Sequence, residues 1–99
     1  MNNKFSLTAT DNFLRRSRKF FKKHPDLKSK FARIAQDILQ DPSQRHLHLH
    51  PLKGKLSGLY SISLTHTLRI TLTFKITEHE IILLDIGSHD EVYRWVIYP

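Results

Sequence analysis

The sequence contains no cysteine. Disulfide cross-links, thiolate metal sites and cysteine nucleophiles are thereby excluded. Glycine is scarce, with three in 99 residues, and none belongs to a Gly-rich phosphate loop. Neither HExxH nor GxSxG occurs, so the signatures of zinc proteases and serine hydrolases are missing and no cofactor is implied. No apolar run approaches the ~20 residues a membrane-spanning helix needs. The opening Met1-Asn2-Asn3-Lys4 leads into no signal-peptide h-region. These absences point to the cytoplasm and away from a membrane partner. Internal repeats and low-complexity stretches are also lacking, so residues 1–99 are expected to form one domain.

Acidic residues are few, nine against 16 lysines and arginines, and the imbalance is uneven along the chain. Residues 1–58 carry a net +9 and residues 59–99 a net −2. A strongly basic half implies a polyanionic partner, namely nucleic acid, a ribosome or an acidic protein; the alternative is a solvated basic face. Apolar residues, at 39%, suffice for a packed core.

The hydrophobic periods predict an α+β domain of order β-α-α-β-β-β. Lys4 to Thr8 alternates, placing Phe5 and Leu7 on one face of a short strand. Thr8 with Asp11 has capping-box spacing at a helix start. Phe13, Phe20 and Phe21, in register with Ser17 and His24, form a helical stripe that Pro25 ends. Asp26 opens a second helix with Leu27, Phe31, Ile34 and Ile38 inside, closed by Asp41-Pro42. The short link predicts an α-helical hairpin. Residues 42–58 read as an irregular connection. Leu59–Thr65 and Leu68–Lys75 then alternate around a two-residue turn, His66-Thr67, and Ile81–Ile86 is a nearly continuous apolar strand of central type. The simplest packing is an antiparallel-rich sheet with the helical hairpin on one face. The other face would present Ser61, Ser63, Thr65, Arg69, Thr71 and Thr73.

Several groups of residues are chemically capable. Arg15, Arg16, Arg18, Lys19, Lys22 and Lys23 put six cations into nine residues of one helix, suited to phosphates or to an acidic partner. In Arg45-His46-Leu47-His48-Leu49-His50, an extended backbone would set all three imidazoles on one side. Such histidines can hold zinc, shuttle protons or merely decorate a loop. Without an acidic or thiol ligand nearby, and with Lys53 and Lys55 beside them, RNA contact suits them better than metal. Arg69, mid-strand among apolar and threonine residues, is either a bidentate phosphate clamp or the ion-pair partner of Asp85 or Glu80. The segment Gly87 to Arg94 brings a histidine, a tyrosine and an arginine together at the end of the last strand. His89 and Tyr93 there are capable of acid–base work. A short structural cap is the plainer alternative.

Pro51-Leu52-Lys53-Gly54, Gly58-Leu59-Tyr60, Leu68-Arg69-Ile70 and Ile86-Gly87-Ser88-His89-Asp90-Glu91-Val92-Tyr93, taken in order, resemble the RelE/ParE superfamily of toxin–antitoxin toxins over nearly the whole chain. His50-Pro51-Leu52 together with Gly87-Ser88-His89 looks most like the YafQ branch. That resemblance implies a ribosome-dependent mRNA interferase, an endoribonuclease working without metal or cofactor, in which the ribose 2′-hydroxyl attacks the adjacent phosphate. It implies His50 and His89 as the acid–base pair, Arg69 as the phosphate-stabilising cation and Tyr93 as a catalytic or base-stacking group. It also implies an acidic antitoxin, the ribosome and mRNA as partners. Arg45, His48, Lys53, Lys55 and His66 would join the helix cations in holding RNA. The chain departs from the pattern where active relatives place His, Lys or Arg: here stand Ser61, Ser63 and Thr65, and Thr67 occupies the place of an aspartate. The ParE branch, with the same fold and a similar ending, implies a non-enzymatic toxin of DNA gyrase instead. A basic ribosome-binding domain without toxicity is a third reading.

Overall fold

The computed structural model describes residues 5–88. Strand β1 (Ser6–Ala9) leads into helix α1 (Asp11–Lys23), a 3-10 turn (Pro25–Leu27) and helix α2 (Lys28–Gln40). Strand β2 (His50–Pro51) lies between two further 3-10 turns, Arg45–Leu47 and Gly54–Leu56. Strands β3 (Tyr60–Ser63), β4 (Leu68–Lys75) and β5 (Glu80–Ser88) follow, with one more 3-10 turn, Ile76–Glu78, before β5. The sheet order is β1-β5-β4-β3-β2. Strands β2 to β5 are antiparallel to their neighbours, and β1 runs parallel to β5. The expected α+β architecture, two helices packed on an antiparallel-rich sheet, is therefore present. Among the described residues no helix is long and apolar enough to cross a membrane.

Strand β5 is flanked on both sides, and its apolar run follows from that position. Ile81, Leu83 and Ile86 are buried with Ile62, Ile70 and Leu72 of the adjoining strands. Phe13 and Phe20 from α1 and Ile34 and Ile38 from α2 close over them. The helices meet through aromatic rings: Phe31 lies against Phe13 at 6.0 Å between centroids and edge-on to Phe21 at 5.4 Å. Such pairs add about 0.5–1.5 kcal/mol each to the burial of apolar area.

Helix α1 begins two residues later than the capping-box spacing predicts. The strand continues to Ala9, which pairs with Leu83, so the cap falls to Thr10, whose Oγ1 accepts from Phe13 N at 3.1 Å. Thr8 instead donates to Glu80 Oε2. Opposite α1, the β4–β5 ladder slips: Thr71 pairs with Asp85 but Leu72 with Leu83, leaving Leu84 as the extra residue of a bulge. Its carbonyl accepts from Asn12 Nδ2 at 2.8 Å, while Thr10 donates to Leu83 O. The start of α1 is thus pinned to the bulge.

Two further expectations are corrected. The stretch 42–58 contains a strand, β2, whose His50 and Pro51 pair with Ser61 and Tyr60. A two-residue strand is too short to carry a period, and its edge position tolerates proline. The β3–β4 connection is longer than His66-Thr67. Pairing ends at Ser63 and Arg69, and Leu64 N and Thr65 N both donate to Leu68 O. With no Gly or Asn to supply a primed two-residue turn, the chain takes a wider loop in which Thr65 Oγ1 accepts from Leu68 N.

Candidate active site and nucleic-acid interface

At the β2 end of the sheet, α2, the 41–49 loop and the β3–β4 hairpin enclose a pocket of about 600 Å³. Lys30 and Ile34 line it from α2, His46, His48 and His50 from the loop and β2, and Ser63, Thr65, His66 and Arg69 from the hairpin. His50 and Arg69, expected in the catalytic set, thus share one cavity with His48 and His66, expected to bind RNA.

The histidine run is not extended, contrary to the premise on which its imidazoles were expected to align. Arg45–Leu47 form a 3-10 turn and His48 is left-handed at φ 53°, ψ 43°. All three imidazoles face the same pocket nonetheless, because the intervening leucines anchor the loop: Leu47 is fully buried and Leu49 packs on the core. A left-handed non-glycine residue is uncommon and carries strain. Here it places the His48 carbonyl 3.0 Å from His50 Nδ1. A carbonyl only accepts, so Nδ1 carries the hydrogen and Nε2 keeps its lone pair. His50 in its neutral form is therefore a base at Nε2.

Arg69 makes neither of its expected ion pairs. Asp85 is held by Arg16, and Glu80 accepts from Thr8. Arg69 Nη1 instead donates to Ser63 Oγ and to Thr65 O within its own hairpin. Among the described residues no carboxylate pairs with it. A guanidinium fixed by a hydroxyl and a carbonyl keeps its full charge while losing little rotamer freedom on meeting a phosphate. Residue 63, where relatives are expected to carry a proton-transferring or cationic group, thus holds the arginine in place.

Sequence reasoning passed over two residues of the pocket. Lys30 stands on α2 one turn before the buried Ile34, beside the apolar stripe, but a lone lysine in a helical pattern does not show that a cavity opens beside it. His46 was weighed with the run as a zinc ligand, proton shuttle or RNA contact but was placed in neither the catalytic nor the RNA-binding set. Its Nε2 lies 2.8 Å from Asp37 Oδ2 of α2. Asp37 is part-buried on α2, and the fold of the 41–47 loop brings the two together.

The α1 cations form a separate basic region. Arg16, Lys19, Lys22, Lys23 and His24 surround a second pocket of about 420 Å³ beside Phe20 and Ile86. Arg15 and Arg18 are exposed, with Arg15 bonded to Asn12 at 2.7 Å. Arg45 and Lys55 are exposed on the 3-10 turns flanking β2, Lys53 is exposed just before the second of them, and none of the three lines the histidine pocket. His89 and Tyr93 lie outside the described residues.

The polar sheet face departs from expectation. Ser61 and Thr71 are completely buried and in register with Asp85 across β3, β4 and β5. Alternation tells which face a side chain takes, not whether that face is covered. Asp85 Oδ1 accepts from Arg16 Nε and from Ile86 N, both at 2.8 Å. Among the described residues its Oδ2 and the hydroxyls of Ser61 and Thr71 have no hydrogen-bond partner. Arg16, expected to bind RNA, is thus committed through Nε to a buried carboxylate.

No family model matches the chain, and no curated protein matches it in sequence. Solved structures match it in fold. The Escherichia coli DinJ–YafQ toxin–antitoxin complex aligns at a TM-score of 0.74 and 13% identity, over 91% of this chain and 98% of the matched chain. A YoeB/ParE toxin from Agrobacterium tumefaciens aligns at 0.72 and 16%, over 86% and 99%. A metal-bound toxin from Helicobacter pylori aligns at 0.72 and 24%, over 89% and 98%. The fold these matches define is that of the RelE/ParE toxins. More narrowly, the two helices on a five-stranded sheet form a RelE/YafQ-like toxin fold. Among the described residues of this chain, no three His, Asp or Glu side chains are grouped to hold a metal ion.

Proposed function

We propose that this chain is the toxin of a type II toxin–antitoxin pair and that it is an endoribonuclease cleaving mRNA on the ribosome. The observation that carries the reading is the convergence of His50, with Nε2 free as a base, and Arg69, unpaired with any described carboxylate, on one pocket. His50 Nε2 takes the proton of a ribose 2′-hydroxyl. The 2′-oxygen attacks the adjacent phosphorus, the bond to the 5′-oxygen breaks, and a 2′,3′-cyclic phosphate and a 5′-hydroxyl result. Arg69 donates to the non-bridging oxygens as charge gathers on them, with Lys30 as a second cation lining the same pocket. His48 and His66 offer flat rings on which exposed bases can stack. His89 and Tyr93 enter through the resemblance alone.

The basic α1 face and the net +9 of residues 1–58 support two polyanionic partners, an acidic antitoxin and the ribosome. A solved neighbour of the same fold is half of a toxin–antitoxin complex. The test is to induce the protein in cells and map mRNA 5′ ends on stalled ribosomes, beside His50→Ala. New 5′-hydroxyl ends that vanish in the variant are expected. Growth arrest with intact mRNA and inhibited gyrase would replace this reading with the ParE-like one, and absence of any toxicity would leave only a basic binding domain.

A further inference from the structure

Transphosphorylation needs a proton put on the departing 5′-oxygen as well as one removed from the 2′-hydroxyl. Of strand β3, Ser63 lines the pocket, and its hydroxyl, which accepts from Arg69, is too weak an acid for the first task. Four imidazoles line the pocket, and among the described residues only His46 of these four has a carboxylate bonded to its ring. Asp37 Oδ2 lies 2.8 Å from its Nε2. A carboxylate accepts, so Nε2 carries hydrogen and Nδ1 is the nitrogen left to exchange protons with a ligand. The carboxylate also compensates the positive charge that the ring carries when Nδ1 is protonated, as the third member of a catalytic triad does for its imidazolium.

The surrounding loop is built to hold this pair. Gln44 Nε2 donates to Asp37 O at 2.8 Å, Asp41 Oδ1 accepts from Ser43 N at 2.9 Å, and Leu47 is buried beside them. His46 is thereby set on a short, pinned segment rather than a free one. The two ring systems are complementary: His50 has Nδ1 tied and Nε2 free, His46 has Nε2 tied and Nδ1 free.

We propose that His46 is the general acid of the cleavage, with Asp37 as its positioning residue. The proposal rests on the endoribonuclease reading above. As the 2′-oxygen bonds to phosphorus and the P–O5′ bond breaks, the Nδ1 proton of the His46 imidazolium passes to the 5′-oxygen, while the 2′-hydroxyl proton resides on His50 Nε2. Two protons have moved, one onto each side of the reaction, and no oxidant, reductant or further reactant is required. The imidazolium at His50 and the neutral ring at His46 then exchange protons with water to restore the starting state.

A leaving group that needs no proton separates this role from every other. Ribosome-bound mRNA is prepared with sulfur replacing the 5′-bridging oxygen at the cleaved position, and single-turnover cleavage by the full chain is compared with the oxygen substrate. His46→Ala is expected to lose about 10²–10⁴-fold on oxygen. It should recover to within a few-fold of the parent on sulfur, because a thiolate leaves unprotonated. Asp37→Asn keeps an oxygen that accepts from Nε2 but not its charge, and should show the same recovery with a smaller loss. His50→Ala should be impaired on both substrates. If His46→Ala cleaves oxygen mRNA at the parental rate, or is impaired equally on both substrates, the acid role is overturned while the nuclease reading stands. Recovery on sulfur by His89→Ala instead of His46→Ala would move the role to His89 and overturn the proposal in the same way. If the parent cleaves neither substrate, the endoribonuclease reading itself fails, and this one with it.

Discussion

Removing the Arg16 side chain should destabilise the fold more than any other loss of a single α1 cation. Asp85 is fully buried and accepts from Arg16 Nε and from its neighbour's backbone, while among the described residues Oδ2 and the Ser61 and Thr71 hydroxyls in register with it have no partner. Arg16→Met preserves the aliphatic stem but strands the carboxylate. Breaking a buried ion pair from one side costs about 3–5 kcal/mol, because the remaining charge stays desolvated. The Arg16 side chain is 32% exposed, so water moderates the loss. The lower end, about 3 kcal/mol, is the expected value. For a domain of this size that lowers Tm by about 12–24 °C, at about 4–8 °C per kcal/mol. Replacing both partners, Arg16→Met with Asp85→Leu, removes the buried charge together with its counter-charge and should return stability to within about 1 kcal/mol of the parent. The assay is urea and thermal unfolding of the parent, both single variants and the double variant, read as a double-mutant cycle. A single Arg16→Met variant that melts with the parent would refute the reasoning. So would a double variant as unstable as the single one. The outcome bears on function as well, since ribosome binding lost in an Arg16 variant would then report folding rather than contact.

Phe31 is half-buried between Phe13 and Phe21, so Phe31→Ala should cost about 2–3 kcal/mol, below the ~3–5 of a fully enclosed phenylalanine, and a melt indistinguishable from the parent would displace it from the core. Arg69→Ala should slow single-turnover mRNA cleavage by about 10²–10³, as loss of an oxyanion-type donor does. Arg69→Lys should restore only part of it, because an ammonium lacks the planar fork; full activity in either variant would remove Arg69 from the chemistry. Reversing the exposed Arg15, Arg18 and Lys19 to Glu, with Arg16 left intact, should weaken ribosome co-sedimentation and flatten its dependence on salt, and an unchanged salt series would place the contact elsewhere.

The parts of the fold legible in the sequence are those that repeat. Phe13 and Phe20, then Ile34 and Ile38, recur at helical spacing and are the residues the helices bury. Ile62, Ile70 and Leu72 alternate and lie within the sheet. What was missed is what does not repeat. Strand β2 has two residues, too few for any period, and the bulge at Leu84 is a slip between strands rather than a property of one. The cap at Thr10 was misplaced because two threonines stand near the helix start, and the choice between them was made by pairing to a strand seventy residues away.

The site divides in the same way. His50 stood out in the histidine run and Arg69 in its strand, the resemblance gave both their catalytic roles, and the fold gathers them into one pocket with three more histidines. The alignment of imidazoles expected from an extended backbone holds for a different reason. Alternating leucines, not an extended strand, orient the run: Leu47 and Leu49 must turn inward, and in a loop pinned at both ends the residues between them can only turn outward. Apolar anchors therefore constrain which side polar groups take even where backbone geometry is irregular. The partners of those groups are another matter. His46 meets Asp37, Arg69 meets Ser63 and Arg16 meets Asp85. The first two pairs lie within nine residues in sequence; Ser63 and Arg69 are opposed across the β3–β4 hairpin, while Asp37 and His46 follow no helical or strand spacing. A polar side chain's neighbour is set by where a loop folds back, which the hydrophobic pattern does not encode. That is why Arg69 was given two possible carboxylates and took neither. It is also why residue types identify candidate chemistry, while hydrogen-bond partners decide which ring nitrogen is free to perform it.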